Sequence, residues 1–406
     1  MVINSHDDNR IISTMTLEEA ALCLGIITTV LSFSANSNLS RICSILMYAF
    51  WGVWAVLSFS HQSVSISRKV IYMVSVYAFI WLLTQVLYLS GVYTTNGLGP
   101  AKYLIMCAAF YFFGNNIQRN SDIVKRIVFA YAFAHIVFTA LAFLLLFRSG
   151  TYTGKNMSGQ ALGIGIVLDF TIIPRLTKSS IGKVFFYFWG LFSLVTLWIL
   201  HARTPFIAVL VVFLYLFFEK RRNLFAYFAF AIVILAFTVF FTRTKLGYEM
   251  IQTFLIGDLR YKEVELSNTE AIFSGRFDVY GIAFNDFFNH PFFGMGGWAY
   301  VDSFPIHALW VGGITHAILL IPFVYKQLFG CIIGFKKRTC NMNNDSCDYS
   351  ILSLAKYLSL FYITVSLMEG YPPLGPGASA FFIWIVLGMK DSVIENEYKP
   401  VKVSER

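Results

Sequence analysis

Arg276, Asp278, Asn285, Asp286, His290 and His307 fall within one segment, Ser274 to Tyr325, which begins polar and ends as an apolar run. A guanidinium stays ionised and can grip a phosphate at two points, while carboxylates and imidazoles can accept or return a proton. Such a set beside an apolar run suits chemistry on an anionic group at a membrane surface. Phe277, Tyr280, Ile282, Phe284, Phe287 and Phe288 share one broad side of a predicted helix, which Pro291 and the glycines Gly294, Gly296 and Gly297 bring to an end. An aromatic, amphipathic helix of this kind lies in the interface with its apolar face down. Arg276, near its start, is thereby expected at the level of a lipid-borne phosphate.

The elements that position these residues are read from composition. Of 406 residues, 57% are hydrophobic, 18% aromatic and only 13% charged, with a mean hydropathy of +0.65. A soluble chain carries about twice that share of charge. Apolar runs near ~20 residues long recur throughout, the length that crosses a bilayer as helix. The class is an all-α polytopic membrane protein, one transmembrane domain over residues 1–406. Twelve spans are predicted at about 20–34, 43–60, 70–90, 101–114, 127–147, 159–174, 184–200, 205–219, 223–242, 306–329, 351–368 and 376–390, with a large outer loop, 243–305, between the ninth and tenth. No internal repeat or low-complexity tract is present. Asp7, Asp8, Glu18 and Glu19 precede the first apolar run where a cleaved leader would be basic, so no signal peptide is expected.

Charge orders the loops. One set of connections holds Arg68 and Lys69; Arg119, Lys125 and Arg126; Arg175, Lys178 and Lys183; Lys220, Arg221 and Arg222; and Lys326, Lys336, Lys337 and Arg338, with Lys390, Lys399, Lys402 and Arg406 in the tail. The intervening connections carry few cations. Basic loops stay in the cytoplasm, so both termini are expected there and 243–305 on the opposite, outer side. The net charge of +9 then reflects cytoplasmic loops, and no nucleic-acid partner is expected. The apolar run from Lys183 to Lys220 is too long for one crossing and is broken only at His201-Ala202-Arg203-Thr204, before Pro205. It reads as a tight helical hairpin with Thr204 as cap and Pro205 in the first turn, which places Arg203 at the outer mouth. Cys340 and Cys347 share a polar loop without a nearby histidine, a poor zinc site. His135 and Asp169 lie within spans, as a buried pair or as pathway residues.

Three stretches are similar to the bacterial O-antigen polymerase and O-antigen ligase superfamily of envelope glycosyltransferases. Gly154-Lys155-Asn156-Met157-Ser158-Gly159 resembles its Lys-Asn-x-x-Gly segment. Leu200-His201-Ala202-Arg203-Thr204 resembles its hairpin, and Ser274-Gly275-Arg276 with Tyr280 and His290-Pro291-Phe292-Phe293-Gly294-Met295-Gly296 its outer-loop pattern; His307 falls where the family has a histidine. The family's serine before the hairpin arginine is Ala202 here, the residue after the histidine is Ala308, and the ligases' later glycine is Ile318. These departures favour the polymerase form over the ligase form.

The resemblance implies transfer of a glycan from an undecaprenyl pyrophosphate carrier to an acceptor hydroxyl in the bacterial inner membrane. Arg203, Arg276 and His307 are then the expected catalytic residues: two arginines on the pyrophosphate, and His307 or Glu369 as general base. Lys155, Asn156, His201, Tyr280, His290 and Glu369 are expected to bind substrate. No Asp-x-Asp pair appears on the outer face, so no metal or other cofactor is expected. Partners are the lipid-linked glycan, the inner-membrane lipids and a chain-length regulator. A transporter or flippase is the reading from another class. It calls for a pseudo-repeat and mid-membrane charges, and beyond Asp169 the chain offers little of either.

Overall fold

Lipid offers backbone amides and carbonyls no hydrogen-bond partners, so an apolar run within it must form helix. A computed structural model of the protein describes residues 16–34, 36–61, 65–117, 121–149, 155–220, 243–256, 276–296, 300–335, 347–375 and 380–397, and among them no β-strand forms. The helices are α1 (Leu17–Leu31), α2 (Ser37–His61), α3 (Arg68–Leu89), α4 (Leu104–Asn116), α5 (Ser121–Ser149), α6 (Lys155–Thr171), α7 (Ser180–Ile199), α8 (Arg203–Lys220), α9 (Lys245–Ile256), α10 (Arg276–Asn289), α11 (Phe304–Ile333), α12 (Cys347–Met368) and α13 (Phe381–Glu397). A short 3-10 helix, Gly99–Tyr103, leads into α4.

Six described helices are long and apolar enough to cross a membrane: α2, α3, α5, α7, α11 and α12. The expected spans at 20–34, 101–114, 159–174, 205–219 and 376–390 are largely helical where described but shorter or more charged. The expected ninth span, 223–242, lies outside the described residues, as do Gly154, Ser274, Gly275, Gly297, Cys340 and the chain beyond 397. Of the six, α12 is the most enclosed and α7 the least. Beside α12, α4 and α13 cross at glycines: a Cβ at Gly114 would stand 1.9 Å from the Ile385 carbonyl oxygen, and one at Gly388 2.2 Å from that of Tyr111. Small residues are what allow helices to approach so closely in lipid.

One end of the bundle is closed by ion pairs. Lys69 Nζ lies 2.6 Å from Asp391 Oδ2 and 2.6 Å from Gln327 Oε1, joining α3, α13 and α11. Tyr111 donates to the same Asp391 oxygen at 2.6 Å. Lys356 of α12 meets Glu219 of α8 at 2.6 Å, and Arg126 of α5 pairs with Glu19 of α1. Near this end of α6, Asp169 Oδ2 faces His135 Nδ1 at 3.4 Å, both fully buried.

At the other end α11 is interrupted, a feature not anticipated for the 306–329 span. Gly313 adopts φ +59°, ψ −157°, a conformation that only glycine takes without strain. The backbone groups freed by the break are bonded to the loop after α10. Met295 and Gly296 N–H donate to the Trp310 and Val311 carbonyls at 2.9 Å each. Ile314 N–H donates to Pro291 O at 2.8 Å and Thr315 N–H to Phe292 O at 3.2 Å. Interrupted helix is tolerated within a membrane where other backbone restores its hydrogen bonds. The Trp310 indole N–H adds a bond to Asp286 Oδ2 at 2.9 Å. Together these fasten α10, and with it Arg276, to α11.

Candidate active site

The cluster at the interrupted end is assembled from four parts of the chain: α10, the residues leading into α11, the loop after α12 and the α7–α8 turn. Arg276 opens α10 and donates from Nε to Asp302 Oδ2 at 2.8 Å, while its Nη2 lies 4.0 Å from Glu369 Oε1. Tyr280, one turn on, donates its hydroxyl to the Asp302 carbonyl at 2.7 Å. Tyr300 donates to Glu369 Oε2 at 3.2 Å. His307 is fully buried, and its Nδ1 lies 2.9 Å from the Gly370 carbonyl oxygen. A carbonyl can only accept, so Nδ1 carries the proton and donates it to that oxygen. Gly370 itself has no room for a side chain: a Cβ would stand 2.2 Å from the Val301 carbonyl oxygen.

Glu369 is 3% exposed. Its Oε1 has no hydrogen-bond partner, and the Thr204 side chain stands beside the carboxyl. Burial pushes its carboxyl up to about 7 and the Asp302 charge adds to the rise, while Arg276, Thr204 and Tyr300 draw it back. A carboxyl held near neutrality can take a proton from a hydroxyl at working pH and release it again. Burial, then the neighbouring Glu369 and Asp302, push the Tyr300 phenol well above its ordinary value; it remains a donor.

The hairpin forms as expected, with α7 ending at Ile199 and α8 starting at Arg203. One detail is corrected. Thr204 is not the cap but lies inside the first turn of α8, where its buried side chain faces Glu369. His201 makes the turn, at φ +53°, and its ring lies 6.5 Å from that of Phe254 on α9. Arg203, half-buried, begins α8 beside Thr204. Asn156 is half-buried in the first turn of α6, close to the hairpin tip because a Cβ at Gly159 would be 2.6 Å from that of Ala202. Lys155 opens α6, its side chain outside the described part. His290 is exposed and closes α10 through its backbone, its N–H 2.9 Å from Asp286 O.

Arg276, Tyr280, His307 and Glu369 are therefore brought together, and Thr204, Tyr300 and Asp302 join them. The last two were legible only as polar residues just ahead of α11. Among the described residues no three His, Cys, Asp or Glu side chains gather as a metal site requires. A guanidinium beside a buried carboxyl, at one end of a bundle that includes six helices long and apolar enough to cross a membrane, defines a multi-pass membrane protein with a polar cluster at one end. Residues 188–318 match the Wzy_C family, O-antigen ligase, a segment that runs from α7 through the break in α11. This match supports the likeness of the segment to the O-antigen polymerase and ligase superfamily. No curated protein matches the chain. Glu369 lies outside the matched segment.

Proposed function

We propose that the protein is a polymerase of lipid-linked polysaccharide repeat units, transferring glycan from undecaprenyl pyrophosphate to a sugar hydroxyl. The observation that carries this reading is Glu369: a buried carboxyl held near neutrality, 4.0 Å from a guanidinium. In the proposed step Glu369 takes the proton of the acceptor hydroxyl as its oxygen bonds to the anomeric carbon of the donor. The bond from that carbon to the carrier phosphate breaks, and the electron pair leaves with the diphosphate. Arg276 and Arg203 stabilise the growing negative charge, a task suited to fixed cations in a partly dehydrated site. Asp302 holds Arg276, and His307 holds the Gly370 carbonyl next to Glu369. Lys155, Asn156, His201, Tyr280 and His290 are proposed to border the bound substrate. No step calls for a metal.

The departures at Ala202, Ala308 and Ile318 favour polymerase. The description of the matching family favours a ligase joining the finished chain to lipid A core, and one experiment separates them. On deletion of the protein, single repeat units on lipid A core indicate a lost polymerase. Long chains left on the carrier lipid indicate a lost ligase, and an unchanged surface glycan refutes both. The proposed setting is the inner membrane, with 243–305 in the periplasm as part of the site and both termini in the cytoplasm. A cysteine introduced at Glu265 then reacts with an impermeant thiol reagent from the periplasmic side and Cys340 does not; the reverse pattern inverts the orientation. A chain-length regulator is the proposed protein partner.

A further inference from the structure

Lys102, Tyr103 and Tyr371 adjoin the reacting cluster and have no part in the transfer step. Lys102 and Tyr103 end the 3-10 helix before α4, and Tyr371 follows Glu369 by two residues. The Tyr371 ring centroid lies 4.9 Å from that of His307, 5.1 Å from Tyr300 and 5.3 Å from Tyr103. Lys102 Nζ stands over two of these rings, 4.8 Å from the Tyr371 centroid and 4.9 Å from that of Tyr103. The rings make a row from Lys102 to Tyr300, whose hydroxyl bonds Glu369. Its position is firm: a Cβ at Gly375 would meet the Tyr103 ring at 2.3 Å, and Cys107 Sγ lies 3.0 Å from the Leu374 carbonyl oxygen. Lys102, Tyr103 and Tyr371 are half-buried and Tyr300 is 41% exposed, so the row is fixed yet reachable.

Lipid packing would explain rings without a cation, and a phosphate clamp would explain a cation without rings. A saccharide uses both. Its C–H faces carry slight positive charge and rest on the negative faces of aromatic rings, while its hydroxyls need a few fixed donors and acceptors. Resting on the glycan-transfer reading, we propose that Lys102, Tyr103 and Tyr371 form the acceptor-sugar subsite. They hold the terminal sugar ring so that one hydroxyl meets Glu369. Lys102 donates to oxygens of that sugar, and the end of the row at Glu369 selects which hydroxyl reacts.

The test uses the full-length protein in lipid nanodiscs with two probes: repeat-unit oligosaccharide freed from its carrier by mild acid, and undecaprenyl pyrophosphate bearing no sugar. Tyr371→Leu and Lys102→Met are each expected to weaken oligosaccharide binding roughly three- to tenfold, with carrier affinity held within about twofold. In turnover, KM for the lipid-linked repeat unit rises and kcat holds. Tyr371→Phe, which keeps the ring, recovers most of what Tyr371→Leu loses. Unchanged oligosaccharide binding and KM in Lys102→Met and Tyr371→Leu overturn the subsite. So does loss of carrier binding in Lys102→Met, which would assign the cation to the diphosphate. If Tyr371→Leu does not fold, Lys102→Met decides alone. Failure of the wild-type protein to transfer glycan overturns the proposed function instead, a result distinct from variants that behave like wild type.

Discussion

At one end of the bundle Lys356, 1% exposed, meets Glu219 at 2.6 Å, and Lys69 meets Asp391 at the same distance. At the other, Glu369 is nearly as buried, yet the Arg276 guanidinium stands 4.0 Å away and one of its oxygens accepts no hydrogen bond. The first arrangement neutralises charge at contact distance and ties helices together, so its acids are committed. The second leaves a carboxyl poised between its two protonation states, an arrangement that packing alone would not favour, because a buried polar atom left unbonded is costly. Charge held slightly apart, in a buried place reached by other polar groups, marks the end where substrate is expected.

The largest test of that contrast is Glu369→Gln. As general base its loss lowers kcat by roughly 10²–10⁴-fold, with the protein still inserted and accumulated. The pH profile sharpens the assignment. Burial has raised the carboxyl, so below about 7 it is protonated and cannot take the acceptor's proton. Wild-type rate should therefore fall about tenfold per pH unit below that value and level off above it. Glu369→Gln should abolish this limb; a limb that persists in the variant makes His307 the base.

Arg203→Ala comes next, with a loss of roughly 10²–10³-fold if the residue supports the leaving diphosphate. Arg203→Lys keeps the charge without the forked geometry and should fall between. A normal polymer profile in Arg203→Ala at equal protein level removes this residue from the clamp.

The opposite end should answer differently. Glu219→Ala deprives the buried Lys356 ammonium of its carboxylate, at a cost of about 3 kcal/mol in stability, seen as a lower thermal midpoint in detergent. Turnover per folded molecule should not change, and a loss of turnover would mean that the two ends are coupled. The smallest effect is expected from chelation. With Asp302 engaged by Arg276, excess EDTA should leave transfer by the purified protein intact. Loss restored by Mg²⁺ or Mn²⁺ would refute metal independence.

Much of this organisation was legible in the sequence because lipid leaves the backbone few choices. Apolar runs of sufficient length have to be helices, as α2, α3, α5, α7, α11 and α12 are. The charged break at His201–Thr204 inside an overlong apolar run had to be a turn, and the polar run before α11 marked the end where Arg276 and His307 lie. The superfamily resemblance rested on these same local stretches, and the family match falls across the last two of them.

Tertiary packing decided the rest. Gly312-Gly313 and the glycines from 294 on permitted a break in α11, but only the loop carbonyls and amides of residues 291–296, brought beside it, make that break affordable. Thr204 would cap a helix in isolation; contact with the post-α12 loop turned it toward Glu369. Glu369 began as an alternative to His307 for the general base and as one of the substrate-binding candidates, and Lys102 carried no expected role. Each owes its environment to neighbours far away in the chain. Burial, charge separation and ring apposition depend on which helices meet, and no local pattern of residues encodes that meeting.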